Sequence, residues 1–271
     1  MQLASRTDAA GKLHRSLRFT QDGKSFQGEF FLEDNLFMSI SANIAAVRER
    51  MASAARRARR STEDVALMAV SKTHPAERIR DAHDAGLRMF GENRVQEFAA
   101  KAGALFDLAA VEFHMIGHLQ TNKAAKAAEL FGAVDSVDSV KLAEKLDAAA
   151  RTLGKKLSVL IEINVGGEAA KTGIAADSPE LEDLLMAAPR FEALEFRGLM
   201  TVPPFTEDPE GARRFFRKLS KLRDAIAARR LAAIHMDVLS MGMSHDFEVA
   251  IEEGSTCVRV GTAIFGERAK A

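Results

Sequence analysis

Apolar and polar positions fall into blocks along the chain, and the period changes from block to block. From Ser41 the apolar positions are Ile44, Val47, Met51, Ala54 and Ala58, with basic residues opposite. That spacing predicts a helix with Ser41 as its N-cap. Arg56 to Arg60 then close it, where cations meet the negative end of the helix dipole. Residues 65–70 form a continuous apolar run of strand length. A helix follows, with Pro75 in its first turn and Gly86 as its stop. The alternation repeats. Strands are expected at 87–93, 111–117, 133–137, 157–165, 194–201, 235–242 and 257–265. Between them lie helices marked by Val95, Phe98, Ala99 and Ala102, by residues 121–131, and by Leu142, Leu146, Ala149 and Leu153 after a Ser139 cap. Ser178-Pro179 opens another helix. The longest one is expected over Ala212, Phe215, Phe216, Leu219, Leu222 and Ile226, and a short one at 247–253. About eight strands alternating with helices predict an α/β fold, a single (β/α)8 TIM barrel with one helix before it. A doubly wound open sheet is the alternative, but the first strand–helix turn has no Gly-x-Gly-x-x-Gly.

Residues 1–37 stand apart from this pattern. They mix Arg, Lys, Asp and Gly with Phe26, Phe30, Phe31 and Phe37 and keep no clean period. A disordered or loosely docked extension is expected, followed by the barrel domain at 38–271. An upstream start codon is the other explanation, because Met38 begins the first patterned segment. No secretory h-region is present.

Composition narrows the class. Of 271 residues, 47% are hydrophobic, enough for a sizeable core. Lys+Arg and Asp+Glu are 38 each, so the net formal charge is zero and a basic nucleic-acid groove is not expected. A single cysteine, Cys257, forbids an intramolecular disulfide and points to a reducing, cytoplasmic setting. Its apolar neighbours predict a buried, inert thiol. No apolar run reaches the ~18 residues a membrane span needs, so no membrane partner is expected.

In a barrel, chemistry sits where the strands end. The first strand ends in Ser71-Lys72-Thr73. A lysine at the lip of a core loses hydration, its pKa falls, and its neutral amine can attack an aldehyde. The competing explanation is an ordinary lysine snorkelling from a strand end. Other ends carry Asn93, Gly117, Asn164 and Thr201. The turns after the last two strands pair Gly242 with Ser244 and Gly261 with Thr262, which suits an anion. Arg259 alternates with Val258 and Val260, so it faces the barrel mouth if the valines pack outward. A cation there needs a structural carboxylate, a ring nitrogen or a phosphate as partner. A Schiff-base lysine, a phosphate cradle and such a cation are what pyridoxal 5′-phosphate requires. No metal site is expected, since His114 and His118 span a strand end with poor geometry.

Several runs then resemble one known family. They are Ala69-Val70-Ser71-Lys72-Thr73, Phe90-Gly91-Glu92-Asn93, His114-Met115-Ile116-Gly117-His118-Leu119-Gln120-Thr121-Asn122-Lys123, Arg197-Gly198-Leu199-Met200, Leu239-Ser240-Met241-Gly242-Met243-Ser244, and Val258-Arg259-Val260-Gly261-Thr262-Ala263-Ile264-Phe265-Gly266. In this order they resemble the YggS/PROSC family of pyridoxal phosphate homeostasis proteins, over about residues 40–268. The resemblance implies the fold-type III barrel shared with the N-terminal domain of alanine racemase. It implies a non-enzymatic role in vitamin B6 homeostasis, binding, buffering or delivering the cofactor. Lys72 would carry it as an internal aldimine, with Asn93 beside the ring and Arg259 at the ring nitrogen. Ser244, Gly261 and Thr262 would hold the phosphate, joined by Ser240, Gly242 and Met243.

Two other functions compete. A racemase or decarboxylase on the same barrel needs a second base, and His114 is the tempting candidate; relatives that racemise use a tyrosine, which this chain lacks. A class I aldolase would use a barrel lysine without a cofactor. The expected partners are the cofactor and recipient apoenzymes, with the protein itself a monomer.

Overall fold

The computed structural model describes residues 39–168 and 172–267 in full, and the backbone of 2–7, 13–21 and 24–30. The chain divides into two units, Met1–Met38 and Ser39–Ala271. In the first, β1 (Gln2–Thr7), β2 (Leu13–Gln21) and β3 (Lys24–Phe30) form an antiparallel sheet in that order. A disordered or loosely docked extension was expected, and these strands give part of it regular backbone structure. Gln21 pairs with Lys24 across Asp22-Gly23, a dipeptide that favours two-residue hairpin loops and was the overlooked signal. Phe31, Phe37 and Met38, singled out from the sequence, lie outside the described residues.

The second unit opens with α1 (Ile40–Arg57). Its cap is Ser39 and not Ser41: Ser39 Oγ accepts from the Ala42 amide at 3.1 Å. Ile40 is thereby drawn into the buried face with Ile44, Val47, Met51, Ala54 and Ala55. The barrel then runs β4 (Ala66–Val70), α2 (Ala76–Asp84), β5 (Met89–Glu92), α3 (Val95–Ala102), β6 (Glu112–Met115), α4 (Ala124–Leu130), β7 (Ala133–Val137), α5 (Val140–Thr152) and β8 (Leu157–Asn164). It continues through β9 (Ile174–Ala175), α6 (Pro179–Ala187), β10 (Leu194–Met200), α7 (Arg213–Ala228), β11 (Ile234–Met243), α8 (Phe247–Glu252), β12 (Cys257–Val260) and α9 (Thr262–Phe265).

Eight parallel strands close the circle, β4 to β8 followed by β10, β11 and β12, with β12 pairing β4 and β10 pairing β8. The short β9 pairs with β8 outside it. Strands covered on both sides should be buried along their length, and β7 and β12 are buried at every position, polar Asp135, Ser136 and Arg259 included. Three expectations shift. The longest helix is α1, of 18 residues, against 16 in α7. In α5 the buried face is Leu142, Ala143, Leu146 and Ala150, and Leu153 is left 47% exposed beyond the last turn. The last expected strand stops at Val260. Gly261 turns the chain, and Ala263, Ile264 and Phe265 coil into α9, because a short apolar run suits strand or helix equally.

Candidate functional site

The ends of β4, β5, β11 and β12 meet around a cavity of about 330 Å³, within the ~300–1,000 Å³ usual for ligand pockets. Lys72, Asn93, Met243, Ser244, Arg259, Gly261 and Thr262 line it. Seven of the nine residues picked out from the sequence therefore line one cavity. Val70, His74, Ile116, Val202 and His245 complete the lining and were not anticipated. They come from loop tips and strand ends whose inward direction depends on closure of the barrel.

Lys72 sits just past β4, in a turn closed by the His74 amide donating to Ser71 O at 3.1 Å. On the far wall Ser244 follows β11 and Gly261 follows β12. The Gly261 amide donates to Ser244 Oγ at 3.2 Å, so the two turns are tied to each other. The Met243 amide donates to Asp246 Oδ1 at 2.7 Å, which folds the first of them. Burial pushes the Asp246 carboxyl above its ordinary pKa, against the hydrogen bond from Met243.

Arg259 is 3% exposed and reaches sideways over the neighbouring strand ends. It donates to Ser240 Oγ and to Thr201 O, each at 2.7 Å. Both partners are neutral, and among the described residues no carboxylate lies within ion-pair distance of it. Burial pulls its pKa below the ordinary arginine value. A buried guanidinium with only neutral protein partners, at the wall of a cavity, is disposed to meet an electron-rich atom of a ligand.

Ser240 and Gly242 do not line the cavity. Ser240 holds Arg259 from behind. Gly242 has φ of 95°, and a Cβ there would stand 2.5 Å from Ala250 Cβ and 2.9 Å from Phe247 Cα. Its role is to let α8 pack directly beneath the turn that carries Ser244. His114 is also elsewhere. It lines a second cavity of about 180 Å³ with Ala66, Met89 and Cys257, the opening residues of β4, β5 and β12, at the other end of the barrel. Its Nδ1 meets Asp135 Oδ1 at 3.0 Å. Burial opposes its charge, but Asp135 and then Glu112 outweigh that and raise its pKa to about 10. Cys257 there is buried, and desolvation lifts its thiol to about 12, as an inert thiol requires.

A closed barrel with a lysine after its first strand and a hydroxyl-lined turn after each of its last two defines a family. The model of the alanine racemase N-terminal domain matches residues 42–269, and the chain belongs to that family. Within it, the chain is 44% identical over 232 residues to the pyridoxal phosphate homeostasis protein of Aquifex aeolicus, covering 85% of this chain and 99% of that one. It is 43% identical to the protein of the same name from Pseudomonas aeruginosa, over 85% of this chain and 96% of that one. Among solved structures, PipY of Synechococcus elongatus with PLP bound superposes with a TM-score of 0.71 at 35% identity, covering 84% of this chain and all of that one.

Proposed function

We propose that this protein binds pyridoxal 5′-phosphate and serves its intracellular homeostasis, buffering the cofactor or delivering it to apoenzymes. One observation carries this: Lys72, the Ser244 and Thr262 hydroxyls and buried Arg259 line a single cavity. The three parts of the cofactor are an aldehyde, a phosphate and a ring nitrogen, and each has a suitable partner there. The Lys72 amine is placed to condense with the aldehyde. Ser244, Gly261 and Thr262 receive the phosphate, Asn93 flanks the ring, and Arg259 faces its nitrogen. Ser240 and Gly242 act from behind. Bound in this way, the cofactor can stabilise carbanions only weakly, because a cation facing the ring nitrogen disfavours its protonation.

The same geometry supports a binding role over turnover. His114, the base that racemisation would need, belongs to the opposite end of the barrel and is engaged by Asp135. The chain holds no tyrosine to replace it. The protein acts in the cytoplasm as a monomer under this proposal. To test it, purified protein is saturated with pyridoxal 5′-phosphate, reduced with borohydride and digested for mass mapping. A visible band and a single adduct on Lys72 are expected, and Lys72→Ala should lose both while keeping its fold. A colourless protein, or an adduct on another residue, refutes the proposal. Exchange of substrate α-deuterium at enzymatic rates would refute its non-enzymatic part.

A further inference from the structure

A second lysine, which does not line the cavity, is bound to the turn that carries Lys72. Lys101 lies in α3 with its side chain only 11% exposed. Its ammonium donates to Ser71 O at 3.1 Å and to His74 O at 2.9 Å, the carbonyls at the two ends of the turn. It also meets Glu92 Oε1 at 2.9 Å and Glu97 Oε1 at 3.6 Å. Glu92 is fully buried at the end of β5, and its Oε1 accepts in addition from Ser71 Oγ at 2.6 Å. Glu97 Oε1 accepts from the Thr73 amide. Ser71, Thr73 and His74 are thus each fastened, by backbone or side chain, to one of three charged groups on β5 and α3.

That fastening has something to hold. Lys72 and Thr73 are the central residues of the turn, and Thr73 has φ of 65°. The third position of such a turn usually takes glycine, and a β-branched residue there is strained. Such strain persists only where the surroundings over-determine the backbone, and it gathers at functional sites. Left alone, Thr73 would return toward negative φ and swing the Cα–Cβ direction of its neighbour Lys72.

We infer that Lys101, with Glu92 and Glu97, is a positioning residue that keeps Lys72 aimed into the mouth cavity and so sets how completely its amine condenses with an aldehyde ligand. The inference rests on the proposed function of Lys72. In that condensation Nζ bonds to the aldehyde carbon, and the carbonyl oxygen leaves as water with two amine protons. Lys101 touches none of these atoms. Phosphate binding, on the β11 and β12 turns, should not depend on it.

The test compares two ligands in wild type, Lys101→Met and Glu97→Ala. Pyridoxal 5′-phosphate reports phosphate binding plus condensation. Pyridoxine 5′-phosphate, which has no aldehyde, reports the phosphate end alone. Lys101→Met should lower the fraction of borohydride-trapped Lys72 at least about tenfold at subsaturating ligand, and leave pyridoxine 5′-phosphate affinity within about twofold. Glu97→Ala removes only a partly exposed carboxylate and should fold normally, so it keeps the test open if Lys101→Met does not fold. It should lower trapping severalfold. Adding Thr73→Gly to either variant should restore trapping, because glycine takes that φ without strain. Unchanged trapping in both variants overturns the inference. So does a failed rescue by Thr73→Gly, or an equal loss of both ligands. If wild type itself traps nothing on Lys72, the proposed function has failed instead, and the two failures are distinct.

Discussion

Replacing Arg259 by methionine separates holding the fold from holding a ligand. The guanidinium is almost wholly buried between β10, β11 and β12. Removing an ion from water costs several kcal/mol even after relaxation. Two hydrogen bonds from a charged donor to Ser240 Oγ and Thr201 O return about 1.5–3 kcal/mol each. Cost and return are of similar size, so the unliganded protein gains little from the charge. Methionine is shorter by about the guanidinium group, fills the stem's place with apolar atoms and has no charge to desolvate. It leaves Thr201 O short of a partner, a penalty of about 1–3 kcal/mol that the lost desolvation offsets. Arg259→Met should therefore change unfolding free energy by no more than about 2 kcal/mol in urea titrations without ligand. Affinity for pyridoxal 5′-phosphate, followed by its visible band, should fall at least tenfold, about 1.4 kcal/mol. A variant that loses about 4 kcal/mol or more of stability would show that Arg259 is a strut of the barrel. A stable variant with unchanged affinity would show that the cation does not face the ligand.

Three further outcomes follow from single contacts. Ser240→Ala withdraws one acceptor from Arg259 and should weaken ligand binding severalfold with about 1.5–3 kcal/mol less stability; unchanged affinity and stability would show that Ser240 does not brace the guanidinium. Gly242→Ala places a methyl against Ala250 and the Phe247 backbone at a positive φ, so at least about 2 kcal/mol should be lost and the melting temperature should drop by roughly 5 °C or more; an unchanged melt refutes the packing role. His114 has a folded pKa of about 10, above its ordinary 6.5, so its contribution is complete below about 6.5 and is lost as pH rises through about 10. Asp135→Asn should cost about 3–5 kcal/mol at pH 6 and progressively less toward pH 10, and a cost that does not vary with pH refutes the ion pair.

The barrel was legible because strands and helices alternate at short intervals, with apolar runs such as residues 65–70 and capped helices marking several of them. Ser139 shows this: its hydroxyl accepts from the Leu142 amide as its place before an apolar helix predicted. Legibility failed where one-dimensional pattern is ambiguous. Ser39 and Ser41 both lie where a cap could fall, and burial of Ile40 together with the Ala42 amide bond to Ser39 Oγ decides for Ser39. The run through Ile264 and Phe265 suits either element, and Gly261 decides it. In residues 1–37 the mixed charges leave no clean period, and the β2–β3 hairpin was not expected.

The site was legible to the extent that function is carried by residues at strand ends. The alternation Val258-Arg259-Val260 put the arginine on the side opposite the two valines, since a strand sends successive side chains to opposite sides, and it faces the mouth once the valines pack outward. What the spacing could not give is the partner of each group. Arg259 could have met a carboxylate directly, and the structure gives it a serine and a carbonyl as hydrogen-bond partners at the cavity wall. Ser240 and Gly242 lie in the same motif as Ser244 but serve the cavity from behind, a distinction that depends on which strand and helix stand next to them. Lys101 was invisible for the same reason. Its sequence neighbours describe an ordinary amphipathic helix, and only closure of the barrel sets that helix against the turn after β4. Residues that line the cavity can be read from strand ends, whereas residues that hold them in place are read from contacts between elements distant in sequence.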